Sequence, residues 1–90
     1  MDRLTQIELF VQTVELGSIT RAAEKLVMSD AAASRSLSAL EERLGARLLE
    51  RTTRRLWLTE AGREYHARCL QLLAGIAEAD AKVSEHSLNP

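Results

Sequence analysis

The amino-acid sequence predicts a mainly α-helical chain: three helices, a small β-hairpin and then one long helix. Three observations predict it. Apolar residues recur at three- and four-residue steps in separate blocks, at Leu4, Ile7, Phe10, Val11 and Val14 and again at Ala33, Leu37, Leu40 and Leu44, which is the period of a helix with one buried stripe. Between Gly45 and Thr59 the period falls to two, with Leu56 and Leu58 on one face and Trp57 on the other. Beyond Thr59, the residues Tyr65, Cys69, Leu72, Ile76, Ala79 and Val83 follow at alternating steps of four and three, a heptad seam.

Composition supports the same class. A 90-residue chain makes one thin-cored domain, since chains of this size bury only roughly 60% of their unfolded surface. With 46% hydrophobic and 28% charged residues it folds rather than staying disordered, and 4 glycines against 1 proline leave it free to be helical. No apolar run approaches the ~20 residues of a membrane span, and no basic-then-apolar leader opens the chain. The single Cys69 permits no internal disulfide. A cytoplasmic location with no membrane partner is the expectation.

The first helix covers residues 4–16, with Gly17 at the left-handed position that ends it. Ser18 caps the second, from about Ile19 to Val27, whose outer side carries Thr20, Arg21, Glu24 and Lys25. After the short break Val27-Met28-Ser29, Ser29 caps a third helix that begins at Asp30 and ends near Leu44, with Gly45 as its left-handed stop. Its outer side begins with Asp30, Ala31, Ser34, Arg35 and Ser38, while Glu41, Glu42 and Arg43 read as ordinary surface. A short helix, a tight corner and a second helix with a small, polar and basic outer face form a helix-turn-helix pattern, whose second helix enters a DNA groove. Two β-prone pieces around the tip Thr52-Thr53-Arg54-Arg55 then make the hairpin a wing.

Thr59 caps the last helix, from Glu60 to about Val83, and Gly62 so early within it signals a close backbone approach. A helix of this length, about 36 Å at 1.5 Å per residue, exceeds what a small core covers. The seam Tyr65, Cys69, Leu72, Ile76, Ala79 and Val83 is therefore expected to pair with its copy in a second subunit, Tyr65 serving the core as well. Beyond Ser84 the pattern stops. The expected division is a winged helix-turn-helix over residues 1–58, a dimerisation helix over 59–84 and the start of a linker over 85–90.

Overall charge argues against a nucleic-acid partner and local charge argues for one. The chain totals −1 with a pI near 6.1. Yet Arg43, Arg47, Arg51, Arg54 and Arg55 face one acid, Glu50, between residues 43 and 55, five charges against one and a local balance of +4. One basic patch suffices to meet phosphates. Helix-turn-helix geometry makes Ser18, Thr20, Arg21 and Lys25 candidates for the DNA backbone, and Ser29, Ser38 and Arg51 are expected to join them there. Arg54 and Arg55 at the wing tip suit phosphate or the minor groove. Chemistry is not expected: there is no Gly-rich phosphate loop, zinc-ligand spacing or nucleophile–base set, and His66, His86 and Cys69 do not make a metal site. The chain reads as no enzyme, with no cofactor and no metal.

These residues, taken together, resemble the N-terminal DNA-binding domain of LysR-type transcriptional regulators. The carriers are Leu9-Phe10 with Val14, the run Gly17-Ser18-Ile19-Thr20-Arg21-Ala22-Ala23-Glu24-Lys25-Leu26, and Ser29 and Ala32 with Ser34-Arg35. Leu40-Glu41-Glu42-Arg43-Leu44-Gly45 and the stretch from Leu48-Leu49-Glu50-Arg51-Thr52-Thr53-Arg54 through Leu58-Thr59-Glu60-Ala61-Gly62 complete them. The resemblance spans residues 2 to about 84. It implies a winged helix-turn-helix with an antiparallel dimerising linker helix. Base readers would be Asp30, Ala31, Ser34 and Arg35, with Arg54 in the minor groove and Ser18 and Thr52 on the backbone. It also implies that a small-molecule effector acts only through a further C-terminal domain, not among these residues, that a full-length protein can form higher oligomers, and that these 90 residues are a fragment. The family often has Gln-Pro where this chain has Asp30-Ala31. Asp30 is then either a helper at the helix N-terminus or a reader that accepts from cytosine N4. The function expected is sequence-specific binding of double-stranded DNA by a dimeric transcriptional regulator; the alternative is a winged-helix protein-interaction module that does not bind DNA.

Overall fold

The first three helices end in the same way, and those endings set the corners of the domain. The computed structural model describes the backbone of residues 1–88 and the side chains of residues 1–87. Helix α1 spans Arg3–Leu16, α2 Ile19–Lys25 and α3 Asp30–Leu44. Past each helix one residue turns left-handed, and the amide beyond it returns to a carbonyl five residues back: Ser18 to Thr13 at 3.3 Å, Met28 to Ala23 at 2.9 Å and Ala46 to Glu41 at 3.2 Å. Gly17 (φ 66°) and Gly45 (φ 70°) take the left-handed position in two of them. In the third it falls to Val27, at φ 58°, where a β-branched side chain crowds the following carbonyl. The second helix is thus two residues shorter than its apolar pattern suggests.

The starts are equally local. Asp2 accepts the Thr5 amide at 2.8 Å, Ser18 that of Arg21 at 3.1 Å and Ser29 that of Ala32 at 3.1 Å, each satisfying one orphan donor of a first turn. The Asp2 carboxyl is held below its usual range, mainly by that backbone hydrogen bond.

Helix α1 is the centre of the packing and touches α2, α3 and the last helix, α4, Glu60–Leu88. Leu9 and Phe10 are wholly buried against Ala22, Ala23, Ala33 and Leu40, the small alanines letting the helices approach closely. Strands β1 (Leu49–Arg51) and β2 (Leu56–Leu58) pair antiparallel, Leu49 opposite Leu58 and Glu50 opposite Trp57. Thr59 caps α4: its hydroxyl accepts the Gly62 amide at 2.9 Å and donates to the Arg47 carbonyl at 2.6 Å. Gly62 lies so close to β1 that a Cβ there would collide with the Leu48 carbonyl oxygen. That oxygen is already held by the Thr59 amide, at 3.0 Å.

Three expectations are corrected. Leu44 does not complete the buried stripe of α3: it is 39% exposed, because the stripe runs past the edge of α1 and reaches a shallow cleft with Ala46, Ala61 and Tyr65. Helix α4 does not stop near Val83 or give way to a linker at residue 85, since regular backbone hydrogen bonding continues to Leu88; residues 89–90 of that expected linker lie outside the described residues. The heptad seam also divides. Cys69 is fully buried in the domain's own core, so it is not the exposed dimer contact its spacing suggests, while Tyr65 is half-buried with its ring 5.5 Å from Phe10. Burial pushes both the Cys69 thiol and the Tyr65 hydroxyl up from their ordinary pKa values, and Cys69 behaves as a small apolar residue.

The left-handed valine gives a test of this geometry. Val27 is 90% exposed, so Val27→Gly removes strain while losing almost no packing. It should raise stability by roughly 0.5–1 kcal/mol, seen as a higher urea midpoint at unchanged slope; an unchanged or lower midpoint would refute the strain.

Candidate nucleic-acid interface

Two neighbouring surfaces carry most of the residues that the sequence singles out. The first is the outer face of α3. Asp30, Ala31, Arg35 and Ser38 are exposed, Ser34 is half-buried, and Ala33, Ser36 and Leu37 turn inward. The inward side is fixed by more than apolar packing. Buried Gln6 donates from Nε2 to the Ser36 carbonyl at 2.9 Å and accepts from Arg43 at 3.0 Å, which pins α1 to α3.

The second surface is a groove between the start of α2 and the wing. It brings Ser18 and Thr20 together with Arg51, Thr52, Arg54 and Arg55, and no acidic residue lines it. The wing turn is closed by the Thr52 amide on the Arg55 carbonyl at 2.8 Å. The Arg55 guanidinium lies 5.2 Å from the centre of the Trp57 ring, a cation–π contact that occupies both. Trp57 thereby acquires a role that its sequence position does not disclose.

The basic run from Arg43 to Arg55 is not one patch. Arg43 is spent on Gln6, and Arg47 lies 3.7 Å from Glu41 and 3.8 Å from Glu50 while donating to the Leu49 carbonyl. Among the described residues, the guanidiniums of Arg35, Arg51 and Arg54 make no hydrogen bond or ion pair within the chain. These three, with exposed Arg21 of α2, are charges left for phosphate.

The direction of each hydroxyl proton separates the polar candidates. The Ser18 and Ser29 oxygens accept from backbone amides, so their O–H groups stay free to donate. Thr20 does the reverse. Its Oγ1 donates to Asp30 Oδ2 at 3.0 Å, which leaves only lone pairs, useless to a phosphate that is itself an acceptor. Thr20 is therefore the backbone candidate whose proton is already engaged within the chain. Thr52 Oγ1 accepts the Arg54 amide at 3.3 Å and keeps its proton.

Glu41 is the functional residue that sequence reading missed. One of its oxygens, Oε2, accepts the amides of Leu48 at 2.7 Å and Leu49 at 3.1 Å. A residue on the last turns of α3 therefore fixes where β1 begins, and with it the distance from recognition helix to wing. Nothing in the local sequence marks it, for a lone glutamate on an amphipathic helix is the commonest kind of surface residue. Among the described residues there is no group of three His, Cys, Asp or Glu placed to hold a metal, and no helix long and apolar enough to cross a membrane.

A three-helix domain with a polar recognition face and an arginine-tipped hairpin beside it is a winged helix-turn-helix. The family model for bacterial regulatory helix-turn-helix proteins of the lysR family matches residues 4–63, and the chain belongs to that family. It is 47% identical over 78 residues to the HTH-type transcriptional regulator CrgA of Neisseria meningitidis, matching 87% of this chain and 26% of that protein. To the HTH-type transcriptional activator AaeR of Escherichia coli it is 38% identical over 90 residues, all of this chain and 29% of that one. The chain thus spans less than a third of the length of these relatives. Among solved structures, the BenM DNA-binding domain in complex with catB site 1 DNA superposes with a TM-score of 0.89 at 32% identity, covering 97% of this chain and 96% of that one. The DNA complex of the CbnR DNA-binding domain gives 0.84 at 29% identity, covering 97% and 99%.

Removing the wing anchor should be measurable. Glu41→Ala leaves two buried amides without an acceptor and should cost about 2–3 kcal/mol, with faster hydrogen exchange at Leu48 and Leu49. Glu41→Gln, which keeps an acceptor oxygen, should lose less. Equal exchange rates in all three proteins would remove the anchoring role.

Proposed function

We propose that this chain is the DNA-binding part of a cytoplasmic transcriptional regulator, without catalytic activity, that binds double-stranded DNA sequence-specifically as a homodimer. Helix α3 lies in the major groove with Ala31, Ser34 and Arg35 at base edges, and the wing carries Arg54 to the minor groove. Ser18, Arg21, Ser29, Ser38, Arg51 and Thr52 meet the sugar–phosphate backbone. The observation that carries this reading is the set of unpaired guanidiniums flanking the exposed face of α3, on a fold that superposes over nearly its whole length on a domain solved with DNA. Arg55, stacked on Trp57 beside the same groove, keeps its guanidinium N–H groups for phosphate or the minor groove.

The dimer rests on α4. Leu72 (56% exposed), Ile76 (42%) and Val83 (69%) form an open apolar stripe with exposed Ala79, beyond the point where the helix leaves its own core. The seam positions are symmetric about residue 74, so an antiparallel mate sets Ile76 against Leu72 and brings Val83 to Tyr65. There the shallow cleft of Leu44, Ala46 and Ala61 lies open. Two copies then hold two α3 helices for half-sites spaced by whole turns of DNA, about 34 Å each.

Salt-titrated binding to duplex DNA tests the interface. Arg54→Ala should weaken binding and lower the slope of log K against log salt by roughly one per wing; an unchanged slope removes the Arg54 contact. Failure of the wild type to bind any duplex at low salt overturns DNA binding and leaves the protein-interaction module. For the dimer, Leu72→Glu/Ile76→Glu should sediment as a folded monomer, and a wild type that is monomeric at high concentration would refute the seam.

A further inference from the structure

Asp30 is the first residue of α3, but it does not cap the helix. That task belongs to Ser29, whose hydroxyl takes the Ala32 amide. The Asp30 carboxylate is instead bonded across the turn by Thr20, Oγ1 to Oδ2 at 3.0 Å, with both residues exposed. The contact joins the first turn of α2 to the first residue of α3. Its two hydrogen-bonding atoms are unequal in what they leave over. Thr20 has spent its only proton, and Asp30 keeps Oδ1, an acceptor with no bond from any backbone amide or side chain among the described residues.

We propose that Thr20 and Asp30 form one specificity unit, in which Asp30 accepts from the amino group of a cytosine in the major groove and Thr20 is the positioning residue that aims it. The proposal rests on the DNA-binding reading above. The N-terminal residues of a recognition helix are those that meet base edges. An acceptor-only group there can bond two major-groove donors, cytosine N4 and adenine N6. Adenine sets an acceptor, N7, beside its amino group, and guanine presents two acceptors, so both oppose a carboxylate. Cytosine alone offers its donor without an acceptor on the same base edge. Holding Oδ2 with a hydroxyl matters because a free aspartate can rotate away from the groove. The restraint comes from α2, so the choice of base depends on a residue that touches no base.

Selection of binding sites from a random duplex pool tests this with the wild type, Asp30→Asn, Thr20→Val and Thr20→Ser, each first checked for folding by circular dichroism. The wild type should enrich one cytosine per half-site. Asp30→Asn, whose amide matches adenine N6 and N7 together, should move that single position to adenine and leave the others unchanged. Thr20→Val should keep its affinity for non-specific duplex while its preference for cytosine falls several-fold, and Thr20→Ser, which retains the hydroxyl, should restore it. An identical base profile for wild type and Asp30→Asn would overturn the proposal, as would a Thr20→Val variant that weakens all sequences equally. A wild type that binds no duplex overturns the underlying DNA-binding reading, a result that cannot be mistaken for either.

Discussion

One carboxylate oxygen holds this domain's working parts in register. Glu41 Oε2 receives the amides of Leu48 and Leu49, and from that point a continuous set of backbone contacts leads outwards. The Leu48 carbonyl takes the Thr59 amide and abuts Gly62, while the Thr59 hydroxyl grips the Arg47 carbonyl and the first turn of α4. Helix α3, the wing and α4 are therefore not three appendages of a common core. They are geared through a few ångströms of main chain, with the two bonds to Glu41 charge-assisted. A shift of the wing cannot occur without disturbing either α3 or the start of the long helix.

The same economy explains how a chain of net charge −1 can present a basic surface. Arg43 and Arg47 are consumed in structural bonds with Gln6, Glu41 and Glu50. Among those left over, Arg35 stands on α3 and Arg51 and Arg54 line the wing groove, which has no acid in its lining. Charge is sorted by pairing as much as by position. A balance of charges along the sequence counts both kinds of arginine alike, and so describes a patch broader than the one that exists.

What could be read from the sequence was what neighbours in sequence decide. Ser18, Ser29 and Thr59 cap helices because a hydroxyl reaches amides two or three residues on, Gly17 and Gly45 accept positive φ, and the two-residue period of Leu56-Trp57-Leu58 marks a strand. Gly62 was legible for a related reason: a glycine inside a helix asks what comes close. Contacts across 30 or more residues were not legible, and the Gln6 bonds to Ser36 and Arg43 are of that kind. Nor was the left-handed Val27, since propensity argues against it and the Met28-to-Ala23 bond that closes the turn shows only in the fold. Glu41 and the Thr20–Asp30 pair were not legible either, although their partners lie only 7 to 10 residues away. Residue type gave their chemistry, but the partner came from the fold.

The division of α4 carries a consequence of another kind. Up to Leu73 its inward side helps to close the core, with Cys69 wholly enclosed, whereas beyond that point the apolar residues face away from the domain. In the proposed dimer, folding and mating draw on largely separate side chains of a single helix. Substitutions at 76, 79 and 83 would there alter which copy is accepted without loosening the domain that bears them. Two regulators descended from a common ancestor could in this way stop exchanging subunits long before their cores diverged, and insulation between their circuits would begin in the last turns of one helix.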